Sequence, residues 1–133
     1  SNYDVRVSEC GGVELSRTMR AAISTNLSSC VDIGEMTEGE NSLVLNIAGY
    51  AVVDIHNERS KGEKDYKKLI IVSTDQRMFI TGSPSCMETF LAIYDAMDGE
   101  DPETWAVEFF QMPSQNFKGK SFITCKVDNM EWY

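Results

Sequence analysis

The 133-residue chain is poor in the residue patterns that carry most enzyme chemistry. It has a single histidine, His56, three prolines, and four cysteines with no Cys-x-x-Cys pair among them. Cys10, Cys30, Cys86 and Cys125 lack the clustered spacing of zinc sites and of disulfide-dense secreted domains. They read as four free thiols in a reducing cytoplasm. No apolar run approaches the ~18 residues a membrane helix needs, so a soluble, cytoplasmic protein is expected. No phosphate-cradling glycine loop, GxSxG elbow or HExxH pattern occurs. His56 is flanked by Asp54 and Glu58 on a predicted strand, where a lone histidine is usually structural or solvated and not a ligand. Neither catalytic residues, nor a metal, nor a cofactor is expected, and a binding function is favoured over an enzyme.

What is present fits one domain spanning 1–133. A chain of this length buries roughly two-thirds of its unfolded surface, enough for a core without metal or disulfide. Hydrophobic residues make up 42% of the chain and aromatics 10%, which places it in the globular class and not the disordered one. The chain opens on Ser1-Asn2 without an initiator Met. That opening reads as a cloning remnant, so the true start and a removed signal peptide both stay open.

The net charge is −9, but its distribution matters more than its sum. Arg59, Lys61, Lys64, Lys67 and Lys68 fall in one stretch, and Lys118, Lys120 and Lys126 in a second that contains no acid. The acids collect chiefly in 32–40 and 95–103. The chain is polarised.

Leu15, Met19, Ala22, Ile23 and Leu27 keep helical spacing and predict a helix over 13–28, followed by a polar loop over 34–42. Residues 43–56 alternate, with Leu43, Leu45, Ile47, Ala51, Val53 and Ile55 on one parity, as in a long strand with one buried face. Gly49 interrupts it where a bulge or bend belongs. Further strands are predicted over 66–73 and 77–81. A helix opens at Ser83-Pro84-Ser85, with Ser85 and Glu88 at capping-box spacing, and stops at Gly99. Its apolar stripe is Met87, Phe90, Leu91, Tyr94 and Met97. Strands over 105–111 and 121–127 close the pattern, with Trp105, Val107, Phe109, Ile123, Cys125 and Val127 inward.

Three strands, a helix and two strands match the five-stranded OB barrel, within a mainly β, α+β class. The expected layout is an N-terminal helix and loop over 1–42, the barrel over 43–127 and a short tail over 128–133. A small α+β sandwich with the same element order is the rival. On an OB barrel, oligonucleotides cross strands 2 and 3 between the loops that join strands 1–2 and 4–5. Those loops are 57–65 and 112–120, and with their bordering strands they hold eight of the twelve positive charges. Strand parity points Tyr50, Phe79 and Phe122 outward, Phe79 beside Arg77 and Phe122 on the face of Lys126. Phe117 sits in the basic loop with Lys118 and Lys120, and Tyr66 borders the first basic stretch. Aromatics on a basic face suit base stacking, and the cations beside them suit phosphate contact. Solvated hairpin tips, and burial of any one aromatic under a second layer, are the plainer alternatives.

The run DYKKLIIVSTDQRMFITGSPSCMETFLAIYDAM (65–97), followed by WAVEFFQMPSQNFKGKSFITCKV (105–127), resembles small single-stranded DNA-binding proteins encoded by phages of Gram-positive bacteria. The upstream SRTMRAAISTNLSS (16–29) looks like the helix that precedes the barrel in that group. The resemblance implies an OB-like fold, sequence-independent binding of single strands, and a role in viral replication or recombination in the host cytoplasm. It supplies no catalytic residue. The acidic end with Trp132 and Tyr133 is similar to the partner-recruiting tails of bacterial single-stranded DNA-binding proteins, though much shorter, and would recruit replication or recombination proteins. Oligomerisation stays open. A second hypothesis is a phage-type interaction protein whose acidic residues, Asp95, Asp98, Glu100, Asp101 and Glu103, engage a basic partner by mimicking DNA charge.

Overall fold

The alternation over 43–56 folds as two strands divided at Asn46, and that division organises the molecule. The computed structural model describes residues 2–128. In chain order they form β1 (Tyr3–Gly11), α1 (Arg17–Thr25), β2 (Val31–Asp32), α2 (Ile33–Met36), β3 (Leu43–Leu45), β4 (Ile47–Asn57), β5 (Asp65–Ser73), β6 (Met78–Thr81), α3 (Pro84–Ala96), β7 (Val107–Pro113) and β8 (Ser121–Val127). One sheet has the order β1-β4-β5-β6-β2, and a second the order β3-β7-β8. Among the described residues only β2 and β6 pair in parallel.

The class is mixed α+β. A helix does fall between the strands ending at 81 and those beginning at 107, but from residue 43 four strands and not three precede it, and no closed barrel is found among the described residues. The strands instead divide between two open sheets. The five-stranded sheet has β1 and β2 at its edges, both outside the strands predicted from the sequence. β1 carries a short period-2 signal in Tyr3, Val5 and Val7, and β2 is too short to show one.

Asn46 makes the corner between the sheets. Its side-chain amide donates to the carbonyls of Trp105 (2.8 Å) and Pro102 (3.2 Å), and its own carbonyl accepts from Thr74 N–H (3.0 Å). Just beyond it the register with β5 jumps between Ile47 and Gly49, a bulge that inserts one residue. No side chain fits at Gly49, where a Cβ would stand 2.5 Å from the Gly11 carbonyl oxygen and 2.6 Å from Val13 N. The bulge reverses parity. Leu43, Leu45 and Ile47 enter one core, whereas Ala51, Val53 and Ile55 enter another.

The five-stranded sheet is therefore buried on both faces. One face joins Val52, Leu69, Ile71 and Phe79 to Phe90 and Cys86 of α3 and to Val107, Phe109 and Cys125 of the second sheet. The other sets Val53, Ile55, Ile70, Val72 and Ile80 against Leu15, Ile23 and Cys30 near α1. Burial on both faces explains the unbroken apolar run over 69–72 in β5.

Both longer helices fold as their caps dictate. Ser16 caps α1 by accepting from Met19 N–H (3.1 Å). α1 is shorter than the expected 13–28. The cap of α3 is Ser83, whose hydroxyl accepts from Cys86 N–H (3.2 Å), with Pro84 opening the helix. The expected box of Ser85 and Glu88 is not used, because Pro84 already occupies the first helical position. Ser85 Oγ donates to the Ile123 carbonyl instead (3.3 Å), joining α3 to β8. The predicted loop over 34–42 begins inside α2, whose end is fixed by buried Thr37 donating to Ile33 O (2.8 Å). All four cysteines are free. No helix among the described residues is long and apolar enough to cross a membrane.

Candidate nucleic-acid interface

The basic stretch of the β4–β5 hairpin is largely committed to internal contacts. Lys67 Nζ pairs with Asp54 at 2.5 Å, and Lys64 Nζ donates to the Glu58 carbonyl at 2.7 Å. Lys68 is half-buried, its stem passing over Gly82. Tyr66 is half-buried against the core on the α1 side. Arg59 and Lys61 are exposed. Arg77 pairs with Asp75 (2.7 Å) and lies 5.1 Å from the centroid of the Phe79 ring.

Two aromatics expected to face outward do not. Phe79 is fully buried among the core residues beneath α3. Strand parity separates Phe79 from Met78 and Ile80 but does not place it outward, because both faces of this sheet are covered. Tyr50 follows the bulge and packs edge-on to Tyr94 (4.9 Å between centroids) and Phe90 (6.0 Å). Its hydroxyl donates to Glu9 (3.0 Å), and burial together with that carboxylate pushes the phenol up to about 12. Neither ring is free to stack on a base.

The outer face of the three-stranded sheet is different. In the register Glu108 lies opposite Lys126, Phe110 opposite Thr124, and Met112 opposite Phe122, so these side chains share one face. Val44, opposite Glu108 on β3, extends that face. Exposure reaches 39% for Phe122, 45% for Met112 and 48% for Val44. Lys126 Nζ sits 5.3 Å from the centroid of the Phe110 ring and 3.8 Å from a Glu108 carboxylate oxygen. The inner face of the same hairpin is held by Gln111, whose amide donates to Gly34 O (3.0 Å) and Thr37 Oγ1 (3.1 Å).

The loop between β7 and β8 is an ordered turn. Ser114 N–H donates to Lys120 O (2.8 Å), Lys120 N–H to Phe117 O (3.0 Å), and Phe117 N–H to Ser114 Oγ (3.2 Å). Gly119 takes a positive φ of 80°, which an L side chain resists. This turn holds Phe117 out at 67% exposure, with Lys118 and Lys120 exposed beside it.

The expected site thus separates into two groups. Phe117, Lys118, Lys120, Phe122 and Lys126 come together on one hairpin, joined by Phe110, Met112 and Val44. Arg59, Lys61, Lys64, Tyr66, Lys67, Lys68 and Arg77 belong to the other sheet. The β4–β5 hairpin runs on from the Asn46 corner while β7–β8 pairs with β3 and runs back from it, so both loops lie away from the corner they share. Val44 shares the parity of Asn46 in the alternating run, whereas Met112 joins the face because β7 runs to Pro113, past the predicted end at 111. Trp132 and Tyr133 lie outside the described residues. Among the described residues no group of three or more His, Cys, Asp or Glu side chains could hold a metal ion. No family model, curated protein or solved structure matches the chain.

Proposed function

We propose that the protein binds single-stranded nucleic acid, DNA foremost, on the outer face of the β3–β7–β8 sheet, without reading sequence. The observation that carries this is the exposure of Phe122 and Phe117 beside Lys118, Lys120 and Lys126 on one hairpin. An unpaired base offers a flat apolar surface, and an exposed ring offers its complement at ~1–3 kcal/mol per base. Lysines in the turn and along β8 of the same hairpin suit the phosphates of a bound strand, and they displace counterions, which makes binding salt-sensitive. A duplex has its bases already stacked and gains little from such rings. The net charge of −9 opposes a polyanion over the molecule as a whole, so binding belongs to this one face and to low salt. The element order of an OB-like barrel, and service in phage replication or recombination, belong to the same proposal.

Titration of fluorescently labelled oligo-dT across salt concentrations tests it. Saturable binding that weakens as salt rises is expected, with duplex DNA bound far more weakly. Absence of binding to single strands even at low salt would overturn it and bring forward a basic protein partner. One observation favours that second reading: Asp95, Asp98, Glu100, Asp101 and Glu103 are all exposed, and none forms an ion pair among the described residues.

A further inference from the structure

His56 stands near the far end of β4, opposite Asp65 of β5 and Asp4 of β1 in the strand register. Its Nδ1 lies 2.7 Å from Asp65 Oδ1, and its Nε2 lies 2.7 Å from Glu58 Oε1. An ionised carboxylate only accepts hydrogen bonds, so both ring nitrogens must donate. A neutral imidazole carries one N–H and an imidazolium carries two. With both carboxylates ionised, only the charged ring satisfies this arrangement.

The surroundings are mixed in charge. Asp4 and Arg6 of β1, Asp54 of β4 and Lys67 of β5 line the recess that His56 shares, with Lys67 and Asp54 paired to each other. Lys64 is turned to the Glu58 and Ser60 carbonyls. The groups in direct contact with the ring are the two carboxylates. Their hydrogen bonds, Asp65 first and Glu58 second, raise His56 above the ordinary 6.5 against a smaller opposing effect of desolvation.

Glu58 and Asp65 bracket the β4–β5 loop. Its backbone is closed by Asn57 N–H to Lys64 O (2.7 Å) and Ser60 N–H to Asn57 O (3.1 Å). We propose that His56 is a pH-sensitive clasp across the base of this loop: protonated, it ties Glu58 to Asp65, and on losing its proton it holds only one of them. The loop carries Arg59, Lys61 and Lys64, so the clasp governs how part of the densest run of positive charge in the chain is held. It stands on the hairpin away from the aromatic face and does not depend on what that face binds.

Linkage fixes the sign of the effect. A histidine raised in the folded state lends stability that is complete below its unfolded value of 6.5 and is lost as pH rises through the folded value. Because His56 is the only histidine, its imidazole is the single histidine signal in an NMR titration of the intact chain. The expected midpoint lies above 6.5, and backbone amides of residues 58–65 shift with that same midpoint. Glu58→Gln and Asp65→Asn should each lower the midpoint. His56→Gln, judged folded by its dispersed spectrum, should abolish the pH-dependent shift of the loop amides. A midpoint at or below 6.5, or loop amides that move in His56→Gln as they do in the wild type, would overturn the clasp.

Discussion

The two sheets use similar sequence material to opposite ends. Both carry aromatics within their strands, and both include a hairpin with a basic loop. The five-stranded sheet is covered twice, so Phe79 and Tyr50 are spent on packing and Lys67 and Arg77 on neighbouring carboxylates. Among the described residues the three-stranded sheet is covered once, and its outer face keeps Phe110, Met112, Phe122 and Lys126 together. Alternation reveals which residues share a face. Whether that face meets solvent depends on what else in the chain comes to lie over it.

The sharpest way to break this contrast is a pair of truncations. Phe79→Ala should cost about 3–5 kcal/mol in urea denaturation, the range for a buried large aromatic. Phe122→Ala should cost far less, since Phe122 is 39% exposed. Equal losses would mean that the two faces are equally covered. The next effect is on affinity: Phe122→Leu keeps the apolar bulk and removes the flat ring, so oligo-dT binding should weaken by roughly 1–3 kcal/mol with stability nearly unchanged. An unchanged dissociation constant would place the strand elsewhere.

Charge sharpens the comparison further. Replacing Lys118 and Lys120, which stand exposed at the turn, by Gln should lower the log–log salt slope by about 0.7 for each phosphate that is no longer neutralised. The same exchange at Lys64 and Lys67, which already bind a carbonyl and a carboxylate, should change the slope much less. A larger change from the second set would reverse the assignment of the two hairpins. The smallest effect concerns Tyr50. Its phenol is raised from 10.0 to about 12, so its contribution to stability is complete below pH 10 and is lost as pH rises through about 12. Tyr50→Phe should flatten the alkaline fall in stability followed by circular dichroism, and an alkaline limb as steep as wild type would show the ring to be solvated.

Much of the fold was legible because strong local signals agreed with tertiary need. The stripe Met87, Phe90, Leu91, Tyr94 and Met97 faces the core, and Trp105, Val107 and Phe109 are buried on one parity, as their spacing requires. Gly49 marks the bulge. The illegible parts depend on distant partners. β2 is two residues long and exists only because β6 lies beside it. Asn46 looks like an ordinary polar position in a strand, yet it marks the corner through carbonyls 56 and 59 residues away. At the candidate site, Phe117, Phe122 and three lysines were legible from charge and parity. The exclusion of Phe79 and Tyr50 was not, since it turns on a helix and a second sheet that pack over them.

The bulge at Gly49 also sets which changes of chain length the molecule can absorb. Ahead of it, strand positions are counted in the phase of one core, and beyond it in the phase of the other. Removing the inserted residue itself leaves the pairs Ile47–Ser73 and Gly49–Val72 in sequence, whereas removing a single residue beyond the bulge, at Val52, would turn Asp54 and His56 toward the places now held by Val53 and Ile55. Two ionisable side chains would then compete for an apolar interior, while every substitution in the charged loops leaves that count intact. A one-residue deletion at Val52 should therefore be tolerated less well than the loss of a whole turn from either hairpin tip.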